Sequence, residues 1–258
     1  MFETIKYDLN DRVATISLNR PESYNAFNKQ MREELLLAIK KAKNDESVRV
    51  IVITGEGKAF CSGQDLKEVE GDSFNFEEVV KEQYNPIIKR LHTTHKPIIC
   101  RLNGVAAGAG CSIALSCDLI VMSKKASLIE VFVNIGLVLD TGSSYFLPRL
   151  VGSTKAFELA SMGTKVGAEE ALRLNMVNKI CAHEDLNKTV QHYTDFYKDA
   201  PTKAVGLIKG MLKVSLNSNL KQMLDEECRC QEIAANSEDY TEGLNAFLEK
   251  RPAKFNGR

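Results

Sequence analysis

The run Asn103-Gly-Val-Ala-Ala-Gly-Ala-Gly110 separates an apolar strand pattern from a helix pattern made of small residues. Glycine and alanine let another segment or a ligand come close to the backbone. The first N–H groups of a helix lack intrahelical acceptors and carry partial positive charge. We therefore expect the N–H of Ala109 to face a ligand. A tightly packed helix start without any ligand is the alternative interpretation.

Strand and helix patterns alternate on both sides of this run. Residues 97–102 before it and 119–122 after it read as strands, and residues 48–54 are apolar enough for a strand buried on both faces. Such alternation predicts an α/β fold with crossover connections and a largely parallel sheet under helical cover. The other elements predicted in this half are a hairpin of residues 5–7 and 13–18, and helices over 28–43, 76–93 (interrupted near Pro86) and 108–116.

The second half of the chain is predicted to be helical. We place a division near Asp199-Ala-Pro201, with an α/β core over residues 1–198 and a helical region over 199–258. Apolar helix faces at the end of a chain often pack against another subunit. We expect the basic tail, residues 250–258, to end loosely in solvent. The predicted helices cover residues 154–162, 167–175, 184–198, 202–215, 220–236 and 239–248.

Composition limits the function. The 34 basic and 34 acidic residues cancel, which argues against a general binder of nucleic acid or membrane surfaces. Seven cysteines without regular spacing, and a start unlike a signal peptide, fit a reducing cytoplasm. No apolar run reaches the roughly 18 residues that a membrane span needs. We expect a cytoplasmic protein without nucleic-acid or membrane partners.

A second glycine turn lies in Gly57-Lys-Ala-Phe-Cys-Ser-Gly-Gln-Asp-Leu66, after an apolar strand. Gly63 lets the chain turn tightly and leaves the N–H of Gln64 free to point at a ligand, unless it is simply a turn glycine. Two N–H groups, from Gln64 and Ala109, would form an oxyanion hole for a thioester carbonyl that becomes an enolate.

Asp140 is a lone acid in the apolar and small-residue segment Asn134-Ile-Gly-Leu-Val-Leu-Asp-Thr-Gly-Ser-Ser-Tyr-Phe-Leu-Pro148. Burial there raises the expected pKa of the carboxyl by desolvation, toward a value useful for moving protons. The alternative is an aspartate that caps the helix beginning near Thr141. Spacing alone leaves both interpretations open.

Other catalytic chemistries find little support. His92 and His95 are three residues apart but lack a third ligand, so we expect surface histidines and no metal site. Cys61 has no assigned base and the chain has no Gly-x-Ser-x-Gly elbow, which argues against a covalent nucleophile. No Gly-Lys-Ser/Thr follows Gly110, so the run there is no phosphate loop.

Several separated motifs, in order along the chain, resemble the enoyl-CoA hydratase/isomerase (crotonase) superfamily. The resemblance covers essentially the whole chain. It implies a ββα spiral core with C-terminal trimerisation helices, an acyl-CoA thioester ligand, and a homotrimer or a dimer of trimers. The motifs are Asn19-Arg-Pro-Glu-Ser-Tyr-Asn-Ala26, Lys58-Ala-Phe-Cys-Ser-Gly-Gln-Asp-Leu66, Asn103-Gly-Val-Ala-Ala-Gly-Ala-Gly-Cys111, Cys117-Asp118, Phe146-Leu-Pro-Arg-Leu-Val-Gly152 and Gly243-Leu-Asn-Ala-Phe-Leu-Glu-Lys-Arg251.

The departures from the family pattern point to an isomerase. Hydratases of the family carry two glutamates, and the matching positions here are Ser112 and Phe132, with Glu130 two residues off register. Asp140 stands at a glycine position of the hydratases, as in the Δ3,Δ2-enoyl-CoA isomerases and the ring-epoxide isomerase of phenylacetate degradation. Dehalogenases of the family also have this aspartate but pair it with Trp and His, where this chain has Phe132 and Asn85.

The resemblance implies an acyl-CoA isomerase with Asp140 as the single acid/base, and with Gln64 and Ala109 as the oxyanion hole. A hydratase of low activity and a non-catalytic acyl-CoA-binding subunit are the alternatives. No metal and no cofactor are expected beyond the coenzyme A of the substrate. Residues 74–84 and Phe132 are expected to shape the acyl pocket. The residues implied in coenzyme A binding are Tyr24, Ala26, Ser62, Gln64, Asp65, Leu66, Lys67, Phe247 and Lys250.

Overall fold

Two sheets organise the molecule. The computed structural model describes residues 2–69 and 75–258; Phe74, predicted to shape the pocket, lies outside them. Strands of the described part form one six-stranded and one four-stranded sheet. They are β1 (Ile5–Asn10), β2 (Val13–Leu18), β3 (Val50–Gly55), β4 (Ala59–Cys61), β5 (Ile98–Leu102), β6 (Val105–Ala107), β7 (Leu119–Ser123), β8 (Ser127–Ile129), β9 (Lys165–Gly167) and β10 (Lys179–Cys181).

From β3 to β8, successive strands alternate between the two sheets. The large sheet has the order β1-β2-β3-β5-β7-β10 and is parallel except for the β1–β2 hairpin. The small sheet has the order β4-β6-β8-β9, with β9 antiparallel at its edge. The pairs β3/β4, β5/β6 and β7/β8 each give one strand to each sheet before a helix follows. This repeat confirms the ββα spiral that the resemblance implied, and the largely parallel sheet. The sequence patterns missed the strands of the small sheet because each has only three residues.

Helices cover the sheets. The predicted helix over residues 76–93 consists of two α-helices joined by a π-helical turn, Val80–Tyr84, and Pro86 lies in the first turn of the second helix, where its missing N–H is tolerated. The α-helices are α1 (Lys29–Asn44), α2 (Phe76–Val79), α3 (Asn85–His92), α4 (Ala109–Leu115), α5 (Ser143–Val151), α6 (Ser153–Met162), α7 (Ala168–Arg173), α8 (Leu186–Asp199), α9 (Thr202–Ser215), α10 (Leu220–Ala235) and α11 (Glu238–Glu249).

Strand β3 is buried on both faces, as its unbroken apolar run predicted. Ile51 and Ile53 pack into the main core, which also holds the buried face of α1. Val50 and Val52 point to the other face of the sheet, in a smaller cluster that includes Val190 of α8. The sheet is therefore sandwiched between helices, and its strand ends are held rigidly.

The last three helices carry much apolar surface. No helix of the described residues is long and apolar enough to cross a membrane. The amphipathic pattern of the last three helices leaves an apolar face that the described residues do not cover. Its exposed members include Ile208, Leu212, Leu216, Leu220, Leu224, Leu244, Phe247 and Leu248.

The basic tail is anchored, so the expectation of a loose end was wrong. The buried carboxylate of Asp239 accepts hydrogen bonds from the backbone N–H groups of Asn256 and Gly257, at 2.7 and 2.9 Å. Arg49 lies against Gly257 and donates to Thr202 and to the carbonyl of Ala200. This anchor could not be predicted, because in the sequence Asp239 resembles an ordinary acid in the first turn of a helix. The division into regions at residues 198 and 199 stays a prediction.

Candidate active site

Three loops meet at one edge of the small sheet. Strand β6 pairs in parallel with β4 on one side and β8 on the other, so the carboxyl ends of all three lie together. The loops that follow these strands line a cavity of about 200 Å³. The residues that line its wall include Gln64, Tyr84, Ala109, Phe132, Leu137 and Asp140.

The two predicted oxyanion donors lie on adjacent loops. Gly63 has φ 99°, and a Cβ there would lie 3.0 Å from the carbonyl oxygen of Ala107 and 3.8 Å from the nitrogen of Ala109. Only glycine allows this approach. Within the described chain, the N–H groups of Gln64 and Ala109 donate to no acceptor. The two predicted donors therefore belong to residues that line one cavity.

A partly buried network holds the side chain of Gln64. Its Oε1 accepts from Arg32 Nη1 at 2.8 Å and from the Tyr84 hydroxyl at 2.7 Å. Arg32 is only 2% exposed, pairs with Glu68 at 3.0 Å, and lies 5.2 Å from the centre of the Tyr84 ring. This network links α1 and the π-helical turn to the loop that carries the Gln64 N–H.

Arg32 was not among the predicted site residues. Its signal is a charged residue three positions before Leu35, on the apolar face of a predicted helix. A charge on a buried face needs partners, so this position predicts a polar network.

Asp140 lies at the cavity wall, in a turn whose Thr141 and Gly142 have positive φ values. Burial raises the pKa of its carboxyl, and a hydrogen bond from the Thr141 hydroxyl at 2.7 Å acts in the opposite direction. The alternative of a helix cap is wrong. Gly142 is the N-cap of α5, and no side chain caps this helix.

The two hydratase positions hold no carboxylate. Ser112 is fully buried, and its hydroxyl lies 2.7 Å from that of Ser143. Phe132 lines the cavity with its ring. Glu130 is buried and does not line the cavity. Among the described residues that line the cavity, Asp140 is thus the one carboxylate.

The residues implied in coenzyme A binding fall into groups. Ser62, Gln64 and Leu66 line the cavity. The Ser62 N–H donates to the Tyr24 carbonyl at 3.0 Å, which brings the segment of Tyr24 and Ala26 alongside this loop. The roles of all these residues, Lys67 included, stay predictions.

Three of the residues implied in coenzyme A binding do not line the cavity of Asp140: Asp65, Phe247 and Lys250. Asp65 pairs with Arg20 at 2.9 Å and accepts from the Lys67 N–H, so its carboxylate is already engaged. Phe247 lines a different cavity, between α10 and α11, and Lys250 follows α11. The structure does not bring Phe247 and Lys250 to the cavity of Asp140 within one chain.

The histidines lie away from this cavity. His95 is exposed, as predicted, whereas His92 is half-buried with its ring edge-on to Tyr145, at 5.9 Å between ring centres. In residues 2–69 and 75–258, no three His, Cys, Asp or Glu side chains are grouped to hold a metal ion.

The chain combines a spiral α/β fold with a cavity that is lined by one carboxylate, Asp140, and by Gln64 and Ala109, the two residues with predicted N–H donors. The chain belongs to the enoyl-CoA hydratase/isomerase family, whose model matches residues 8–258. Its solved relatives include an enoyl-CoA hydratase subunit of Geobacillus kaustophilus, with a TM-score of 0.93, 33% identity, and 100% of this chain and 99% of that chain covered.

Proteins with similar sequences differ in the activity that their names state. A probable enoyl-CoA hydratase of Rhodobacter capsulatus is 37% identical, over 100% of this chain and 99% of the relative. The 1,2-epoxyphenylacetyl-CoA isomerase of Escherichia coli is 36% identical, over 100% of both chains. The trans-2-decenoyl-[acyl-carrier-protein] isomerase of Streptococcus mutans is 36% identical, over 100% of this chain and 99% of the relative.

Gly108→Ala should damage the site through backbone strain alone. Gly108 has φ 50° and ψ −125°, but a Cβ there would meet only the side chains of Val131 and Phe132, at 3.7 Å or more. We expect a loss of stability of about 1–3 kcal/mol, together with weaker binding of an acyl-CoA thioester because the Ala109 N–H turns away.

Gly152→Ala is the matched control. Gly152 also has a conformation that favours glycine, with φ 78° and ψ 158°, and open space around its Cβ position. It should lose stability but keep thioester affinity. Thermal unfolding and calorimetric titration measure the two effects, and equal affinities in both variants would contradict the placement of the Ala109 donor.

Proposed function

We propose that this protein is an acyl-CoA isomerase that shifts a double bond, with Asp140 as its single acid/base. The observation that carries the proposal is the cavity wall, where one carboxylate and two free N–H groups are combined with apolar side chains. Substrates of this chemistry are 3-enoyl-CoA esters or ring-epoxide CoA esters.

The proposed reaction needs one proton carrier. The thioester oxygen binds the N–H groups of Gln64 and Ala109, which stabilise the enolate that forms when Asp140 removes a proton. Asp140 then returns the proton two carbons away. Because the reaction has no net change in protons, one carboxylate is sufficient, and no metal or redox cofactor is required.

The apolar wall favours isomerisation over hydration. Addition of water requires a positioned water and groups that activate it, and family hydratases use two glutamates for this. Here one position is the buried Ser112 and the other is the Phe132 ring, which occupies the wall with Leu137. A carbanion in such a surrounding is protected from water.

The names of the relatives include both isomerases and a hydratase. The isomerases of Escherichia coli and Streptococcus mutans favour the proposal. The probable hydratase of Rhodobacter capsulatus favours the second candidate, a hydratase of low activity with water placed by Asp140. Assays with 3-enoyl-, 2-enoyl- and ring-epoxide-CoA esters distinguish them, because efficient hydration of crotonyl-CoA would contradict the isomerase.

We also propose a homotrimer, or a dimer of trimers. The exposed apolar residues of α9 to α11 form a surface that a second copy can bury. Phe247, which is 80% exposed, and Lys250 do not reach the cavity of their own chain, so contact with coenzyme A would involve the site of a neighbouring copy.

Asp140→Asn should lower kcat of isomerisation at least ~100-fold, the scale for a lost general acid/base. Affinity for the CoA ester should be retained, because the amide has the shape of the carboxyl. Asp8→Asn, at an exposed position, is the control and should leave kcat unchanged. A rate within threefold of the unmodified protein would refute the role of Asp140, and retained affinity without any activity in the parent protein would favour a binding subunit.

Activity should rise with pH as Asp140 ionises, because the base must be deprotonated. The Thr141 hydroxyl lowers the pKa of Asp140, so Thr141→Val should raise this pKa and move the rising limb of kcat/KM to higher pH. Thr141→Ser keeps the hydroxyl and should leave the limb in place. Identical limbs in the two variants would show that the titrating group is not Asp140.

The oligomer is tested at its apolar surface. Leu212 and Leu220 are exposed on α9 and α10. Replacing both by Glu should convert the assembly to monomers, because burying unpaired carboxylates is costly. Light scattering measures the mass, and Leu9→Glu, at an exposed position on β1, is the control. A parent protein that is monomeric at micromolar concentration would contradict the proposal.

A further inference from the structure

Glu130 is a buried carboxyl that the proposed reaction does not use. It follows β8, is only 3% exposed, and lies behind the cavity wall. Its Oε2 has no hydrogen-bond partner, and no ion pair of the described residues includes it. A buried carboxylate without a cation is costly, so this group needs an explanation.

Two serines connect Glu130 to the site. The Ser143 hydroxyl lies 2.8 Å from Glu130 Oε1 and 2.7 Å from the Ser112 hydroxyl. Ser112 Oγ in turn lies 3.2 Å from the carbonyl oxygen of Gly108 and 3.3 Å from that of Asp140. The Gly108 carbonyl belongs to the same peptide unit as the oxyanion N–H of Ala109. These hydrogen bonds therefore connect Glu130 to the peptide unit of the predicted donor Ala109 and to the backbone carbonyl of Asp140.

The series of hydrogen bonds from Glu130 through Ser143 to Ser112 can run in either of two directions, depending on whether Glu130 is protonated. Each hydroxyl has one proton to donate. When Glu130 is ionised, Ser143 donates to it and Ser112 donates to Ser143, which leaves the Gly108 and Asp140 carbonyls without this donor. When Glu130 is protonated, it donates to Ser143, Ser143 donates to Ser112, and the Ser112 proton is free for those carbonyls.

We propose that Glu130 is a positioning residue whose protonation sets the direction of the Glu130–Ser143–Ser112 chain, and thereby the strength of the Ala109 oxyanion donor. This inference rests on the proposed isomerase function. A donor to the Gly108 carbonyl polarises its peptide unit, so the Ala109 N–H becomes a stronger donor. A donor to the Asp140 carbonyl also holds the turn of the base. The protonated form of Glu130 is thus the active one.

The surroundings of Glu130 place this change near neutral pH. Burial raises its pKa to about 7, the hydrogen bonds from Ser143 and Cys111 lower it, and the charge of Asp140 raises it. Cys111 of α4 and Asp140 are the titratable groups that face it. Burial and the nearby Glu130 hold the pKa of the Cys111 thiol well above its usual value, so this thiol stays neutral there.

The pH profile of kcat tests the proposal. In the unmodified protein, kcat should fall about fivefold as pH rises through neutrality, the scale for one lost hydrogen bond. Glu130→Gln cannot ionise and keeps an N–H donor for Ser143, so it should hold the higher rate without the fall. Ser112→Ala removes the hydroxyl that donates to the Gly108 and Asp140 carbonyls. It should show the lower rate without the fall, which tests the proposal even if the first variant does not fold. A fall that persists in either variant would overturn it.

A measurement without turnover separates this inference from the proposed function. Butanoyl-CoA has no double bond to shift, and the infrared stretch of its bound carbonyl reports the strength of the oxyanion donors. In the unmodified protein the stretch should lie at lower frequency below neutral pH than above it, and in Glu130→Gln it should not change with pH. This result in a protein without isomerase activity would refute the function alone, whereas a stretch independent of pH in the unmodified protein would overturn the role of Glu130.

Discussion

The parallel pairing of three short strands is the constraint on which the site depends. Strands β4, β6 and β8 have three residues each, and only their shared register brings their carboxyl ends to one edge. Gly63 and Gly110 allow the contact, because a Cβ at Gly110 would lie 2.4 Å from the Cys61 carbonyl. The large sheet holds these strands in place, because β4, β6 and β8 directly follow β3, β5 and β7 of the large sheet. The proximity of the two predicted oxyanion donors, Gln64 and Ala109, thus depends on the spiral.

Polar networks on either side of this edge fix the groups that the strands bring together. Arg32 and Tyr84 hold the Gln64 side chain on one side. On the other side, Ser112 and Ser143 connect the α4 start to the turn of Asp140. Both networks are at least partly buried, and satisfied hydrogen bonds in such surroundings favour one arrangement of the backbone. In the proposed reaction, such donors would need little reorganisation when charge develops on a bound oxygen.

Two carboxyls at this edge have different environments. Asp140 faces the cavity and is stabilised as an anion by the Thr141 hydroxyl, whereas Glu130 lies behind the wall without a cation. Burial raises the pKa of both, and more strongly that of Glu130, to about 7. The environment thus separates the proposed base, Asp140, from a carboxyl that changes its protonation near neutral pH, Glu130.

The sequence by itself determined the alternation of strands and helices, the buried run of β3, the amphipathic α1, and the candidate residues Gln64, Ala109 and Asp140. These follow from periodicity, glycine turns and a lone acid, which are local features. Only the tertiary structure decided the second sheet, the place of Arg32, the anchored tail and the partners of Glu130. Strands of three residues carry almost no periodic signal, and the partner of a buried polar group comes from a distant part of the chain. The function of a buried Arg or Glu depends on that partner. It can therefore be inferred from the folded structure but not from the local sequence.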